Sequence, residues 1–214
     1  MIPLTKTMDP TDLDELELLD QLVHVDRHWD TQQHPQRRWE YAMALLALSQ
    51  WMKEWVNTDH VRIADVGGAG SPFHLMTGYD TTIIDPLNPE SELARPVEWI
   101  AERHAEVYDA VFSISVFEHT TDPLAFLEGC CRIVKPGGLL FLTFDYSGEP
   151  EAVEDTFHFH WMRERIVTRA MWDAMMGALC LIKNMDLYGD VNCDYHGPHV
   201  YDYSFASLCL RKAL

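Results

Sequence analysis

Ala64-Asp65-Val66-Gly67-Gly68-Ala69-Gly70-Ser71 is the stretch on which the fold turns. Val61-Arg62-Ile63-Ala64-Asp65-Val66 reads as a strand. Gly67 to Ser71 is a tight loop, and Pro72 to Met76 reads as a short helix stopped by Gly78. Thr81-Thr82-Ile83-Ile84-Asp85 is a second strand, ended by Pro86. A loop in this position lies at the carboxyl end of the first strand, where open α/β sheets bind ligands. Gly and Ala carry little or no side chain, so a ligand can approach that backbone closely. Asp85 follows about twenty residues after the first strand's end, where a carboxylate meets the hydroxyls of a bound ribose. The combination points to an adenosine-type cofactor.

Downstream, Tyr108 to Val116 forms a continuous apolar strand of the kind buried on both faces of a parallel sheet. Asp122-Pro123 opens a helix that carries Leu124, Leu127 and Cys131 and closes near Lys135. Pro136-Gly137-Gly138 reads as a turn and Leu139 to Phe144 as another buried strand. A helix from about Met162 to Met176 and strands over 179–186 and 204–211 complete the pattern. Val97 to Ile100 fits either a third strand or the start of a short helix. Strands alternating with helices predict a doubly wound, mostly parallel sheet.

Two helices precede the first strand. Thr11 can cap one that repeats Leu13, Leu16, Leu19 and Leu22. Pro35 suits the first turn of a longer one reaching about Val56, with Trp39, Met43, Leu46 and Gln50 on one stripe. We expect a single domain over 1–214, with a helical cap over 1–60 on a core over 61–214.

The bulk composition narrows the function. Sixteen basic against 34 acidic residues give a formal charge of −18, which repels phosphate backbones. Arg37-Arg38, the only basic cluster, is too small to override that, so nucleic acid is not expected as a partner. The charge serves solubility equally well. No apolar run is long enough to span a bilayer, and Met1 to Pro10 lacks the apolar core of a signal peptide. Five cysteines with no metal-knuckle spacing suit a reducing, cytoplasmic setting, and no metal site is predicted. Oligomeric state is left open.

Nicotinamide and flavin sites need G-x-G-x-x-G, which fails whether the frame starts at Gly67 or at Gly68. A nicotinamide-dependent oxidoreductase is therefore disfavoured. The loop instead resembles motif I of class I (Rossmann-like) S-adenosylmethionine-dependent methyltransferases, of the type-11-like kind. Asp65, Gly67 and the small Ala69 match Asp/Glu-x-Gly-x-Gly-x-Gly, and Ser71 replaces the last glycine. Asp85, then Tyr108 to His119, then Arg132-Ile133-Val134-Lys135-Pro136-Gly137-Gly138-Leu139-Leu140 resemble that family's later motifs in order. The resemblance is good over roughly residues 60–145 and loose elsewhere.

It implies a seven-stranded sheet in order 3-2-1-4-5-7-6 with strand 7 antiparallel. The 87–107 stretch departs from it: strand 3 is reduced or missing, and Glu98 or Glu102 would have to replace the usual adenine-contacting acid. It also implies S-adenosyl-L-methionine as cofactor. Gly67, Gly68, Ala69 and Gly70 would wrap its methionine part, and Asp65 would orient the loop or hold the ammonium through water. Asp85 would take the ribose hydroxyls, Pro86 and Leu87 the adenine face, and the backbone of Ser115 and Val116 the methionine ammonium. Arg37 or Arg38 would meet the methionine carboxylate, with Trp39 and Tyr41 closing the pocket; simple amphipathic packing would equally explain them.

Glu118-His119 is the candidate catalytic pair, since a His near its neutral pKa can take a proton from an acceptor hydroxyl. The plainer reading is that the pair caps the following helix and shapes the pocket floor. Phe157-His158-Phe159-His160-Trp161 and Tyr195-His196-Gly197-Pro198-His199 lie at the acceptor end as further candidates. The acceptor is expected to be a small molecule methylated at oxygen or nitrogen. A non-catalytic methyltransferase-like partner or regulator is the alternative.

Overall fold

A computed structural model describes residues 15–28, 35–54, 60–89, 93–147, 156–159, 162–164, 167–168, 177, 184–188 and 204–214. Four parallel strands carry the sheet: β1 (Arg62–Val66), β2 (Asp80–Ile84), β3 (Tyr108–Ile114) and β4 (Val134–Ser147). β5 (Thr156–Phe159) and β6 (Met162–Glu164) form a separate hairpin. β7 (Val167–Thr168) lies parallel beside the end of β4. β8 (Met185–Leu187) and β9 (Ser204–Lys212) close the sheet, β9 antiparallel between β4 and β8. The order β2-β1-β3-β4-β9-β8 meets six of the seven expected positions. At the seventh, a single parallel bridge joins Leu93 to Ile84.

The chain leaves β1 toward β2 on one side and reaches β3 on the other, so the end of β1 is the switch point of the sheet. Alternation divides the strands cleanly. Ile63, Ala110, Phe112, Leu139 and Phe141 face one side. Ala64, Val66, Val111, Leu140, Leu142 and Phe144 face the other.

The second face is covered by α4 (Val97–Ala101) and α5 (Pro123–Ile133). Val97 to Ile100 is thus helix, not strand, started by Pro96. Asp122 caps α5, its Oδ1 accepting from Ala125 N–H at 3.0 Å.

The first face is covered by α2 (Pro35–Glu54) and by α3 (Phe73–Thr77), which ends at Gly78 with φ +67°. From Glu40 to Leu48 every residue of α2 is buried, because α1 (Glu15–His28) packs on its far side. The stripe of α1 that does so is Leu18, Leu22 and Val25; Leu19 is 54% exposed. The expected repeat at steps of three drifts off the face that a 3.6-residue turn presents. Among the described residues no helix is long and apolar enough to cross a membrane.

Two expectations are corrected. Pro136-Gly137-Gly138 does not turn the chain but bulges inside β4: Tyr108 faces Val134, while Ala110 already faces Leu139. Asp109 fixes that bulge, accepting from Lys135 Nζ at 2.9 Å and from Arg62 N–H at 3.0 Å. The helix expected from Met162 begins instead as β6 and β7, since Met162–Glu164 pairs back onto Thr156–Phe159. Residues 169–176 and 179–183 lie outside the described residues, as do His160, Trp161 and the loop holding Tyr195, His196, His199 and Tyr201.

Candidate active site

The glycine loop leaves β1 through Gly67, at φ +79°, whose N–H donates to Ile84 O at 2.8 Å. Two of its glycines are required by space. A Cβ on Gly67 would lie 2.3 Å from Val116 Cγ2, and one on Gly68 would lie 2.3 Å from the Asp65 carboxylate. Gly70, at φ +77°, has nothing within 4 Å of where a Cβ would stand. Ser71 has a structural reason for replacing a glycine. Its Oγ accepts from Phe73 N–H at the entrance of α3 and lies 3.1 Å from Tyr41 Oη.

Asp85 follows β2 and reaches back to the loop. Oδ2 accepts from Ala69 N–H at 3.2 Å and Oδ1 from Leu87 N–H at 2.9 Å. Pro86 is exposed, and Leu87 is 69% exposed beside it. Asp65 is buried, and its Oδ2 has no hydrogen-bond partner. Burial pushes its carboxyl up to about 7, and the neighbouring Asp85 adds to the rise. Of the two acids considered for the adenine side, Glu98 is half-buried on α4, and Glu102 is exposed and paired with Arg103 at 3.0 Å.

The end of β3 forms the other wall. Ser115 adopts φ +49°, and its N–H donates to Thr143 O and Oγ1, both at 3.1 Å. Its hydroxyl donates to Glu40 Oε1. Thr143 Oγ1 donates to the same oxygen at 2.6 Å, and Arg37 Nη1 reaches Glu40 Oε2 at 3.1 Å. Glu118 sits in a 3-10 turn, Phe117–His119, and is buried with Oε2 unpartnered. Burial pushes its carboxyl up to about 8; Arg37 and the Ser115 hydroxyl oppose the rise, and Glu40 adds to it. His119 is half-buried, its N–H donating to Val116 O at 2.9 Å.

The structure thus brings Asp65, Gly67, Gly68, Ala69 and Asp85 together, and joins Val116 to them through Gly67. It turns Arg38 elsewhere: the guanidinium binds Asp26 of α1 at 2.8 and 3.0 Å near the surface. Arg37 is the arginine that reaches the buried cluster. Trp39 is half-buried and packs against the α2 face of the core. Glu40 and Thr143 were missed by sequence reasoning. The available signal was a single acid opening the apolar run Tyr41 to Leu48.

Among the described residues no group of His, Cys, Asp and Glu could hold a metal ion. A cavity of about 660 Å³ lies apart from the loop, between α1, α2 and the end of α3, and His24 bonds across it to Met76 O at 3.0 Å.

The sequence profile of a methyltransferase domain family matches residues 68–142, from the glycine loop into β4. The chain is 28% identical over 156 residues to the ubiquinone biosynthesis O-methyltransferase of Bordetella avium, covering 64% of this chain and 61% of that protein. It is 49% identical over 47 residues to the mitochondrial ubiquinone biosynthesis O-methyltransferase of Homo sapiens, covering 22% of this chain and 13% of that protein. It therefore spans less than two thirds of the length of either relative. Among solved structures, its fold is similar to that of the Burkholderia thailandensis 1,6-didemethyltoxoflavin-N1-methyltransferase bound to 1,6-didemethyltoxoflavin and S-adenosylhomocysteine. The TM-score is 0.59 at 14% identity, over 98% of this chain and 92% of that one.

Proposed function

We propose that this chain, a member of the class I S-adenosylmethionine-dependent methyltransferases, transfers the methyl group of S-adenosyl-L-methionine to a small-molecule acceptor at oxygen or nitrogen. The observation that carries this reading is the unpartnered, buried Oδ2 of Asp65 beneath a glycine loop that is open at Gly70. A buried carboxylate oxygen without a partner is costly unless a ligand's donor completes it. The amino group of the cofactor's methionine part is such a donor, so the residues present fit the cofactor.

Gly67, Gly68, Ala69 and Gly70 would wrap the methionine part, and the backbone at Ser115 and Val116 would flank it. Arg37, rather than Arg38, is suited to its carboxylate, with Trp39 in the wall behind. Asp85 would take the ribose hydroxyls: it follows β2, and its carboxylate accepts from Ala69 N–H of the loop and from Leu87 N–H. Exposed Pro86 and Leu87 would meet adenine. The short bridge at Leu93 marks where a third strand would complete the seven-stranded order.

When bound, the cofactor supplies a methyl group already activated on a sulfonium. The protein's task is to align the acceptor and exclude water. His119 is the candidate to take the acceptor's proton, and Glu118, buried beside it with Oε2 unpartnered, is the neighbouring acid. The domain is read as one unit over 1–214 with 1–60 as cap. The formal charge of −18 favours a small acceptor over nucleic acid, and a cytoplasmic location accords with the cysteine usage.

The alternative, a non-catalytic methyltransferase-like partner, draws on Ala69 and Ser71 standing at motif glycine positions and on the weak third-strand segment, while intact Gly67 and Asp85 argue against it. Calorimetric titration with S-adenosylhomocysteine, on wild type and Asp85→Ala, decides between them. Micromolar binding that the variant loses, followed by methyl transfer to a panel of phenols and amines, supports the enzyme. A folded wild type that binds nothing leaves the non-catalytic reading.

A further inference from the structure

We infer that Glu40 is a positioning residue: its buried carboxylate clamps Ser115 in the left-handed backbone conformation that sets the end of β3 against the glycine loop. The inference rests on the cofactor reading above for its functional half, and on contacts within the chain for its structural half.

Ser115 is a residue with a Cβ at φ +49°, a conformation that L side chains resist and that persists only where its surroundings over-determine it. Its surroundings form a closed ring. Thr143 Oγ1 accepts from Ser115 N–H and donates to Glu40 Oε1, and the Ser115 hydroxyl donates to that same oxygen. Arg37 occupies the other carboxylate oxygen. Glu40 and Arg37 lie on α2, Ser115 directly follows β3 and Thr143 lies on β4, so three parts of the fold meet on one side chain.

Folding alone does not ask for an acid here. Glu40 has no exposed surface, and the eight residues after it on α2 are also buried. A buried ionic group at such a position is often replaceable by an apolar side chain without loss of stability. What an apolar side chain cannot do is accept hydrogen bonds from two hydroxyls. The residue after Ser115 is Val116, whose side chain occupies the space that a Cβ on Gly67 would need. The clamp therefore acts directly on the loop proposed to hold the cofactor.

The test uses the fact that glycine adopts φ +49° without help. Titration with S-adenosylhomocysteine is run on wild type, Glu40→Ala and the double variant Glu40→Ala/Ser115→Gly. Hydrogen exchange is followed at residues 113–117 in the same three proteins. Glu40→Ala is expected to weaken binding about tenfold, the scale of a lost left-handed constraint, and to speed exchange at 113–117. The double variant is expected to recover most of both losses, which repair of a mere packing defect around residue 40 would not produce. Binding by Glu40→Ala equal to wild type, or no recovery in the double variant, overturns the inference.

If Glu40→Ala does not fold, Ser115→Ala and Ser115→Gly are compared in the presence of Glu40. Weaker binding by the alanine variant supports the clamp, and equal or stronger binding overturns it. If wild type does not bind, the cofactor reading fails. The exchange comparison then decides the clamp by itself: faster exchange restored by glycine supports it, and unchanged exchange overturns it.

Discussion

The hydroxyl of Tyr41 lies 3.1 Å from Ser71 Oγ, with its ring stacked 6.1 Å from that of Phe73. The helix that precedes the sheet is thereby tied to the far end of the glycine loop. Burial pushes the phenol up to about 12, so it stays neutral throughout the working pH range. Tyr41→Phe keeps the stack and removes the tie. It is expected to cost about 1 kcal/mol in urea unfolding, with Ser71→Ala costing a similar amount. The double variant should cost less than the two together, and strict additivity would mean that the contact contributes nothing.

Gly68→Ala tests the tightest point of the loop. The added Cβ would stand 2.3 Å from the Asp65 carboxylate, so loop or carboxylate must move. We expect a loss of about 1–3 kcal/mol, as for other overpacked sites, read as a lower Tm, together with loss of S-adenosylhomocysteine binding. A variant with wild-type Tm and affinity would contradict the geometry of the loop.

Asp65 makes stability depend on pH. Its folded pKa of about 7 lies above the ordinary value of 3.8, so the folded state holds its proton more tightly than the unfolded one. The stability from this site is fully present below the ordinary value and is lost as pH rises toward 7. Asp65→Asn should therefore gain on wild type between pH 4 and 8, by on the order of a few kcal/mol. Glu118, at about 8, adds a second slope of the same sign. The proposed ligand reverses the preference, because its ammonium favours the ionised carboxylate. Affinity for S-adenosylhomocysteine should rise with pH up to about 7, and binding below that pH should release a proton, seen as a buffer-dependent heat.

Asp122 provides a contrast. Its Oδ1 caps α5 through Ala125 N–H in an exposed position. Asp122→Ala is expected to lower stability by about 1 kcal/mol and to leave S-adenosylhomocysteine affinity unchanged. A change in affinity would show that α5 communicates with the site.

The loop and Asp85 were legible because their demands are local: glycine where φ is positive, and a strand period of two on either side. The mostly parallel sheet followed from alternating strands and helices, whereas its strand order was an implication of the family resemblance. Glu40 was not legible, since its partners Ser115 and Thr143 lie 75 and 103 residues away and an acid in a helix reads by default as solvated. Nor was the choice between Arg37 and Arg38, which one step around a helix reverses. The strands at 162–164 and 167–168 escaped because elements of three and two residues are too short to display a period. The bulge at Pro136-Gly137-Gly138 escaped because its cause, Asp109, sits on another strand.

The position of β9 bears on how the chain is made. β4 pairs with it over eight positions, from Leu139–Arg211 to Tyr146–Ser204, and among the described residues β8 joins the sheet through it. During synthesis, β1 to β4 leave the ribosome well before residues 204–212. Until those arrive, Leu140, Leu142 and Phe144 stand on a strand whose edge lacks its partner, which is the state from which nascent sheets aggregate. The half of the molecule that holds the glycine loop thus waits, as a newborn chain, on β9. Slowed translation over the 148–203 stretch would lengthen that wait and the demand on chaperones.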